Sequence, residues 1–178
     1  MKPIFITGYM ASGKTTAGKR IAEKLNLQFV DVDKFIENKY RKTVSEIFKD
    51  LSESAFRNIE KEALKEISTI QNVVVATGGG LPCFFDNMDA MNAAGLTVYL
   101  KVSAAELAER LLADNMKRPL IEGKTLAEVK DYVIRSLPAR IPFYEKATVV
   151  ADCENIFKKG HFERKITEII NLLPLKNL

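Results

Sequence analysis

The segment Gly8-Tyr9-Met10-Ala11-Ser12-Gly13-Lys14-Thr15 holds two glycines, a lysine and a hydroxyl at the spacing G-x-x-x-x-G-K-[ST] of a phosphate-binding loop. The chemistry asks for these residue types. Glycines let the backbone curl until several N–H groups face one phosphate. The helix that follows opens with unpaired N–H groups and a partial positive charge. Lys14 brings a cation to the β- and γ-phosphates, and the Thr15 hydroxyl suits Mg²⁺. A glycine-rich turn matching by chance is the bland alternative. The setting tells against it, because apolar Pro3 to Thr7 reads as a strand before the loop and Lys14 to Leu25 as a helix after it. The loop alone leaves the outcome open, since nucleotide switches and small-molecule kinases share it.

Other residues suit an acceptor. Asp31 and Asp33 lie two apart at a strand end, where an extended chain points them to one side. One carboxylate suits the Mg²⁺ shell and the other a substrate hydroxyl proton. A plain helix N-cap before Lys34 is the competing reading, and Asp33 fits both. Arg57 and Glu60 share a helix face, so Glu60 can aim the guanidinium at a ligand carboxylate. Spacing alone favours a surface ion pair. Gly78, Gly79 and Gly80 end a strand with no side chains, so a substrate can lie on the backbone; ordering such a run merely as a turn is costly. Arg118, before Pro119 in a loop, is a candidate lid residue that neutralises charge on the transferring group. Arg140, near Pro142 and Tyr144, offers a second anion contact. For each arginine taken singly, a solvated surface position is the simpler reading.

The elements that must position these residues follow from periodicity. Strands are predicted at Pro3 to Thr7, Phe29 to Val32, Val73 to Ala76, Thr97 to Val102 and Thr148 to Ala151. Helices are predicted from Lys14 to Leu25, Lys34 to Arg41, Val44 to Phe48, Glu53 to Ser68, Asp86 to Ala94 and Ala104 to about Asp114. Two more run from Leu126 to Leu137 and from Phe162 to Leu173. This alternation implies an α/β fold with a mostly parallel sheet covered by helices on both faces. Ligands in such folds gather at the carboxyl ends of the strands. The phosphate loop, the aspartate pair and the glycine run all fall there.

Composition sets outer limits. A chain of 178 residues with 28% charged residues suits one globular domain, here 1–178. The net charge of +4 is spread without a basic run, so a small anionic substrate is expected rather than nucleic acid. Cys83 and Cys153 are too few for a disulfide framework or a cysteine zinc site. The apolar start is too short for a signal peptide or membrane span. A cytoplasmic protein with no membrane partner is expected. His161 is the sole histidine and sits in a polar stretch, which fits a surface position better than a catalytic triad.

Taken in order, the phosphate loop, Asp31-Val32-Asp33, Phe56-Arg57-Asn58-Ile59-Glu60, Thr77-Gly78-Gly79-Gly80, Arg118-Pro119-Leu120 and Arg140 with Pro142 and Tyr144 resemble the shikimate kinase family. The likeness runs over nearly the whole chain. It implies transfer of the γ-phosphoryl group of ATP to the 3-hydroxyl of shikimate, in the pathway to chorismate and aromatic amino acids. It also implies a P-loop kinase fold of the nucleoside monophosphate kinase type, with a five-stranded parallel sheet, a substrate-binding helical region near 33–61 and a lid near 112–124. By this resemblance Gly8, Ala11, Ser12, Gly13, Lys14, Thr15 and Thr16 hold ATP. Arg110 stacks on adenine and Arg118 is the lid arginine. Asp33, Arg57, Gly79, Gly80 and Arg140 bind shikimate, with Asp33 the candidate base. Thr15 and Asp31 serve Mg²⁺. The loop at Asp152 to Asn155 flanks adenine without one assignable residue. ATP and shikimate are the expected partners of a monomer, with Lys14, Asp33 and Arg118 carrying the chemistry.

Two positions depart from the family pattern. Ala11 stands where a glycine is usual and is expected to leave nucleotide binding intact. Ser52 replaces another usual glycine, which is expected to alter the turn into the Arg57 helix and the role of Glu53. Rival readings are a kinase of this fold for another acceptor, such as gluconate, and a nucleotide switch without catalysis.

Overall fold

A computed structural model describes residues 1–113, 123 and 125–175. Its strands are β1 (Ile4–Thr7), β2 (Gln28–Asp31), β3 (Val73–Ala76), β4 (Leu96–Lys101) and β5 (Val149–Asp152). They form a parallel sheet in the order β2-β3-β1-β4-β5. The helices are α1 (Lys14–Leu25), α2 (Val32–Tyr40), α3 (Val44–Asp50), α4 (Glu53–Ile67), α5 (Asn87–Ala94), α6 (Ala104–Ala113), α7 (Leu126–Tyr144) and α8 (Phe162–Leu172). A short 3-10 turn spans Leu81–Cys83.

Every residue of β1 and β3 is buried, as a sheet covered on both faces requires. Alternation along the strands feeds two cores. Ile4, Ile6 and Val74 join one with Ile21, Leu107 and Ile166, on the side of α1, α6 and α8. Phe5, Val73 and Val75 join the other with Ile36, Phe56 and Leu64, on the side of α2 and α4. After β1 the chain first builds outward through β2 and β3, then crosses to β4. The order therefore reverses beside β1, and a crevice opens at the carboxyl ends of β1 and β3. The phosphate loop and the glycine run are the two segments that leave those ends.

Two of the boundaries that differ from the sequence expectation move site residues. β2 stops at Asp31 and α2 begins at Val32. Asp31 takes the N-cap position, and Asp33 lies in the first helical turn rather than on an extended strand. A carboxylate cap satisfies orphan N–H groups that a longer strand would leave open. Helix α7 runs on to Tyr144 through Pro138 and Pro142, beyond the expected end at Leu137. Both prolines are exposed and lie one turn apart, so their rings share the solvent face. Buried Leu137 and Tyr144 anchor the helix from the other side, and packing overrides the local penalty. Arg140 is thereby a helical residue. No described helix is long and apolar enough to cross a membrane.

Candidate active site

The phosphate loop turns on residues in left-handed backbone. Gly8 has φ 142° and Gly13 φ 97°, and Ala11 between them has φ 62°. The usual glycine at position 11 is thus a conformational requirement that this chain meets with alanine, at a cost of about 1–2 kcal/mol. Lys14 is 9% exposed and donates from Nζ to the Tyr9 carbonyl at 2.8 Å, which folds its chain back over the loop. The Ser12 hydroxyl is buried with no hydrogen-bond partner among the described residues. An unmet polar group inside a loop of this shape suits an anionic ligand.

Beside the loop, the Thr15 hydroxyl donates to Asp31 Oδ2 at 2.8 Å. The other oxygen, Oδ1, accepts from the backbone N–H groups of Asp33 and Lys34 at 3.1 and 3.3 Å. Capping α2 therefore fixes the orientation of the carboxylate that faces Thr15. Two hard oxygens, one of them charged, fit Mg²⁺, which binds few protein groups and keeps water and phosphate oxygens as its other ligands. No group of three or more His, Cys, Asp or Glu forms a metal cluster among the described residues.

The glycine run explains how the two halves of the site meet. A Cβ on Gly78 would stand 2.9 Å from Asp33 Oδ1 and 3.0 Å from Glu60 Oε1. One on Gly79 would stand 3.1 Å from the Met10 backbone nitrogen, in the phosphate loop. One on Gly80 would meet the Arg57 guanidinium at 2.7 Å. None of the three has positive φ. Their shared reason is close approach, not a flexible turn. The missing side chains make room for the protein's own carboxylates, phosphate loop and guanidinium, besides whatever lies on their backbone.

Arg57 and Glu60 form no surface pair. Glu60 is 2% exposed, and Arg57 Nη1 donates to its Oε2 at 2.5 Å. Nη2 donates to Glu53 Oε1 at 2.9 Å, while buried Nε has no partner among the described residues. The Phe84 ring lies 4.1 Å from the guanidinium carbon, with Phe48 and Phe56 behind it. Burial pushes the Glu60 carboxyl up to about 7, against the pull of Arg57. Ser52 disturbs nothing here: it caps α4 from extended backbone, accepting from Ala55 N–H at 3.2 Å, and Glu53 reaches Arg57 intact.

From the opposite wall, α7 brings Arg140 and Tyr144. Tyr144 donates its hydroxyl to the Gly79 carbonyl at 2.6 Å and interacts with Arg140. Burial holds its pKa well above the ordinary value, so it keeps that proton. Cys83 sits against the same pair, and burial likewise pushes its thiol up, as it does Cys153, to about 12. Neither is poised as a nucleophile.

Arg110 donates to the carbonyls of Ser12 at 3.1 Å and Cys153 at 3.3 Å, and pairs with Glu106. It thus ties the phosphate loop to the segment after β5. That segment is braced from α6, through Glu154 to Ser103 and Asn155 to Glu106. Phe157 closes the corner, its ring 4.9 Å from the Arg110 guanidinium and pressed on Gly13. Thr16 is exposed at the start of α1. Arg118 lies outside the described residues, as does most of the expected lid. In the sequence Gly78 stood out only as part of a glycine run and Tyr144 only as a neighbour of Arg140, with no sign of Phe84, since each matters through a partner distant in the chain. For Tyr144, its place one turn after Arg140 was the available hint.

A strand–loop–helix phosphate cradle at the switch point of a parallel sheet, facing a pocket of carboxylates and arginines, defines a P-loop kinase of small molecules. The sequence model of the family described as shikimate kinase matches residues 10–173. A shikimate kinase from Parabacteroides distasonis is 47% identical over 160 residues, covering 90% of this chain and 92% of that protein. A shikimate kinase structure from Bacteroides thetaiotaomicron superposes with a TM-score of 0.92 at 41% identity, covering 96% of this chain and 97% of that one. The shikimate kinase of Acinetobacter baumannii in complex with shikimate superposes with a TM-score of 0.84 at 29% identity, covering 99% and 94%. The chain belongs to the shikimate kinase family, whose members are ATP-dependent kinases.

Proposed function

We propose that the chain transfers the γ-phosphoryl group of ATP to the 3-hydroxyl of shikimate through a site shared by the phosphate loop and the glycine run. Arg57 and Arg140 hold the shikimate carboxylate, and Gly79 and Gly80 carry its ring. Asp33 accepts the proton of the 3-hydroxyl as that oxygen bonds to phosphorus and the bond to the β-phosphate oxygen breaks, releasing ADP. The loop from Gly8 through Ala11, Ser12 and Gly13 to Thr16 binds the phosphates, with Lys14 and Arg118 neutralising charge on the moving group. Arg110 packs beside adenine. Thr15 and Asp31 would hold Mg²⁺, which would supply charge neutralisation for the transferring phosphates.

The observation that carries this reading is the packing of the glycine run, with Asp33 and Glu60, the phosphate loop, and Arg57 all seated on consecutive residues. Positioning on that scale is the main resource of phosphoryl transfer. A monomer is part of this reading. The ATP requirement and unpaired cysteines fit the cytoplasm. Arg57→Ala tests the reading. Charge-assisted hydrogen bonds contribute about 1.5–3 kcal/mol, so the shikimate KM should rise roughly tenfold to a hundredfold while the ATP KM holds. Steady-state kinetics with each substrate varied decides; a collapse of ATP affinity with unchanged shikimate KM would refute the assignment.

A further inference from the structure

Tyr9 is a loop residue whose side chain is packed into the core. It is 1% exposed, and its hydroxyl lies 2.5 Å from Ser136 Oγ on α7. Ser136 Oγ donates its one proton to the Tyr132 carbonyl at 2.7 Å. It therefore accepts from Tyr9, and the direction of the bond is fixed. Burial pushes the Tyr9 hydroxyl above its ordinary pKa, so the donor stays protonated. One helical turn beyond Ser136, the Arg140 guanidinium lies 5.1 Å from the Tyr9 ring centroid, within cation–π range. At the other end of the same residue, the Tyr9 carbonyl holds Lys14 Nζ at 2.8 Å.

We propose that Tyr9 is a positioning residue that couples the two substrate sites. Its hydroxyl fastens the phosphate loop to α7 through Ser136, and its ring supports Arg140. Its carbonyl registers the position of Lys14. When Lys14 engages nucleotide phosphates, the change at the Tyr9 backbone is passed along a rigid ring to the helix that carries Arg140. Linkage makes the effect reciprocal, so shikimate on Arg140 tightens nucleotide binding by the same factor. This rests on the assignments of Arg140 to the shikimate carboxylate and Lys14 to the phosphates. A tyrosine serving only to fill the core would contribute stability and no coupling.

Tyr9→Phe keeps the ring, its packing and its face toward Arg140, and removes only the hydroxyl; Ser136 keeps its bond to Tyr132. Titration calorimetry of the full chain measures shikimate affinity with and without a saturating non-hydrolysable ATP analogue and Mg²⁺. In the unmodified chain the nucleotide should tighten shikimate at least about fivefold. In Tyr9→Phe that ratio should fall to near one, with affinity in the absence of nucleotide within about twofold. Ser136→Ala, at a half-buried position, should do the same, and the double variant should add nothing. A full ratio in both single variants, or no ratio in the unmodified chain, overturns the coupling. Arg140→Ala separates the two ideas. If it spares shikimate affinity in both conditions, the assignment of Arg140 is wrong. If it weakens both while Tyr9→Phe keeps the ratio, only the coupling fails.

Discussion

At the scale of single residues, the acceptor pocket is a problem of two carboxylates. Asp33 Oδ1 and Glu60 Oε1 flank the space that a side chain on Gly78 would fill, and the Asp33 charge adds to the cost of ionising Glu60. Arg57 offsets that cost on the Glu60 side. In the proposed reaction Asp33 takes the hydroxyl proton, and general-base assistance is worth about 10²–10⁴-fold. Asp33→Asn should cut kcat on that order with the ATP KM little changed, as coupled ADP-release kinetics will show; near-normal turnover would remove Asp33 from the mechanism. Glu60 makes a separate thermodynamic prediction. Its carboxyl titrates about 7 when folded against an ordinary 4.5. The folded state therefore binds its proton more tightly than the unfolded chain, a contribution fully present below pH 4.5 and lost as pH rises through 7. Compared with Glu60→Gln, the unmodified chain should lose stability across that window, and denaturant midpoints that run parallel would contradict this. The residue types were legible from the sequence, because a guanidinium and a carboxylate at helix spacing advertise a pair. The burial that makes Glu60 unusual was not, because it comes from β3 and α2 packing over α4.

At the scale of elements, caps and glycines decide where side chains go. Asp31 is a strand residue as expected, the last of β2, and it also caps α2, so it serves helix and Thr15 at once, and Asp33 is carried on the helix it starts. Local spacing could not distinguish an extended Asp-x-Asp from a capped one, since both put the carboxylates near a strand end. The end of α7 was missed for a related reason. Proline penalties are local, whereas the burial of Leu137 and Tyr144 depends on the 3-10 turn and the sheet beyond it. The phosphate loop gives another case, in which the expectation that Ala11 leaves nucleotide binding intact did not address a conformational cost. At φ 62° alanine is strained by about 1–2 kcal/mol, and glycine adds back about 0.5–1 kcal/mol of unfolded-state freedom. Ala11→Gly should stabilise the fold by a net ~0.5–1 kcal/mol in chemical denaturation. No gain, or a loss, would mean the loop relaxes from that backbone in solution.

At the scale of the whole molecule, the parallel sheet does the arranging. Its order reverses beside β1, so the segments leaving β1 and β3 must lie side by side at one edge of the crevice. The nucleotide loop follows one strand and the glycine floor follows the other, with the Gly79 backbone nearly touching Met10. The order of motifs along the chain made the architecture readable, because alternating strands and helices admit few topologies. What the order could not convey is that Gly78, Gly79 and Gly80 each accommodate a different partner, a fact that exists only once α2, α4 and the phosphate loop converge. The central claim is that this convergence delivers phosphate to shikimate and to nothing else in reach. The most direct measurement is ADP release from Mg-ATP with and without shikimate, with the phosphorylated product identified by ³¹P NMR and gluconate as a control acceptor. ADP should form stoichiometrically with a monoester at the shikimate 3-oxygen, and at only a trace rate with gluconate or no acceptor. Equal ADP release without shikimate, or phosphate found on another acceptor, would contradict the account.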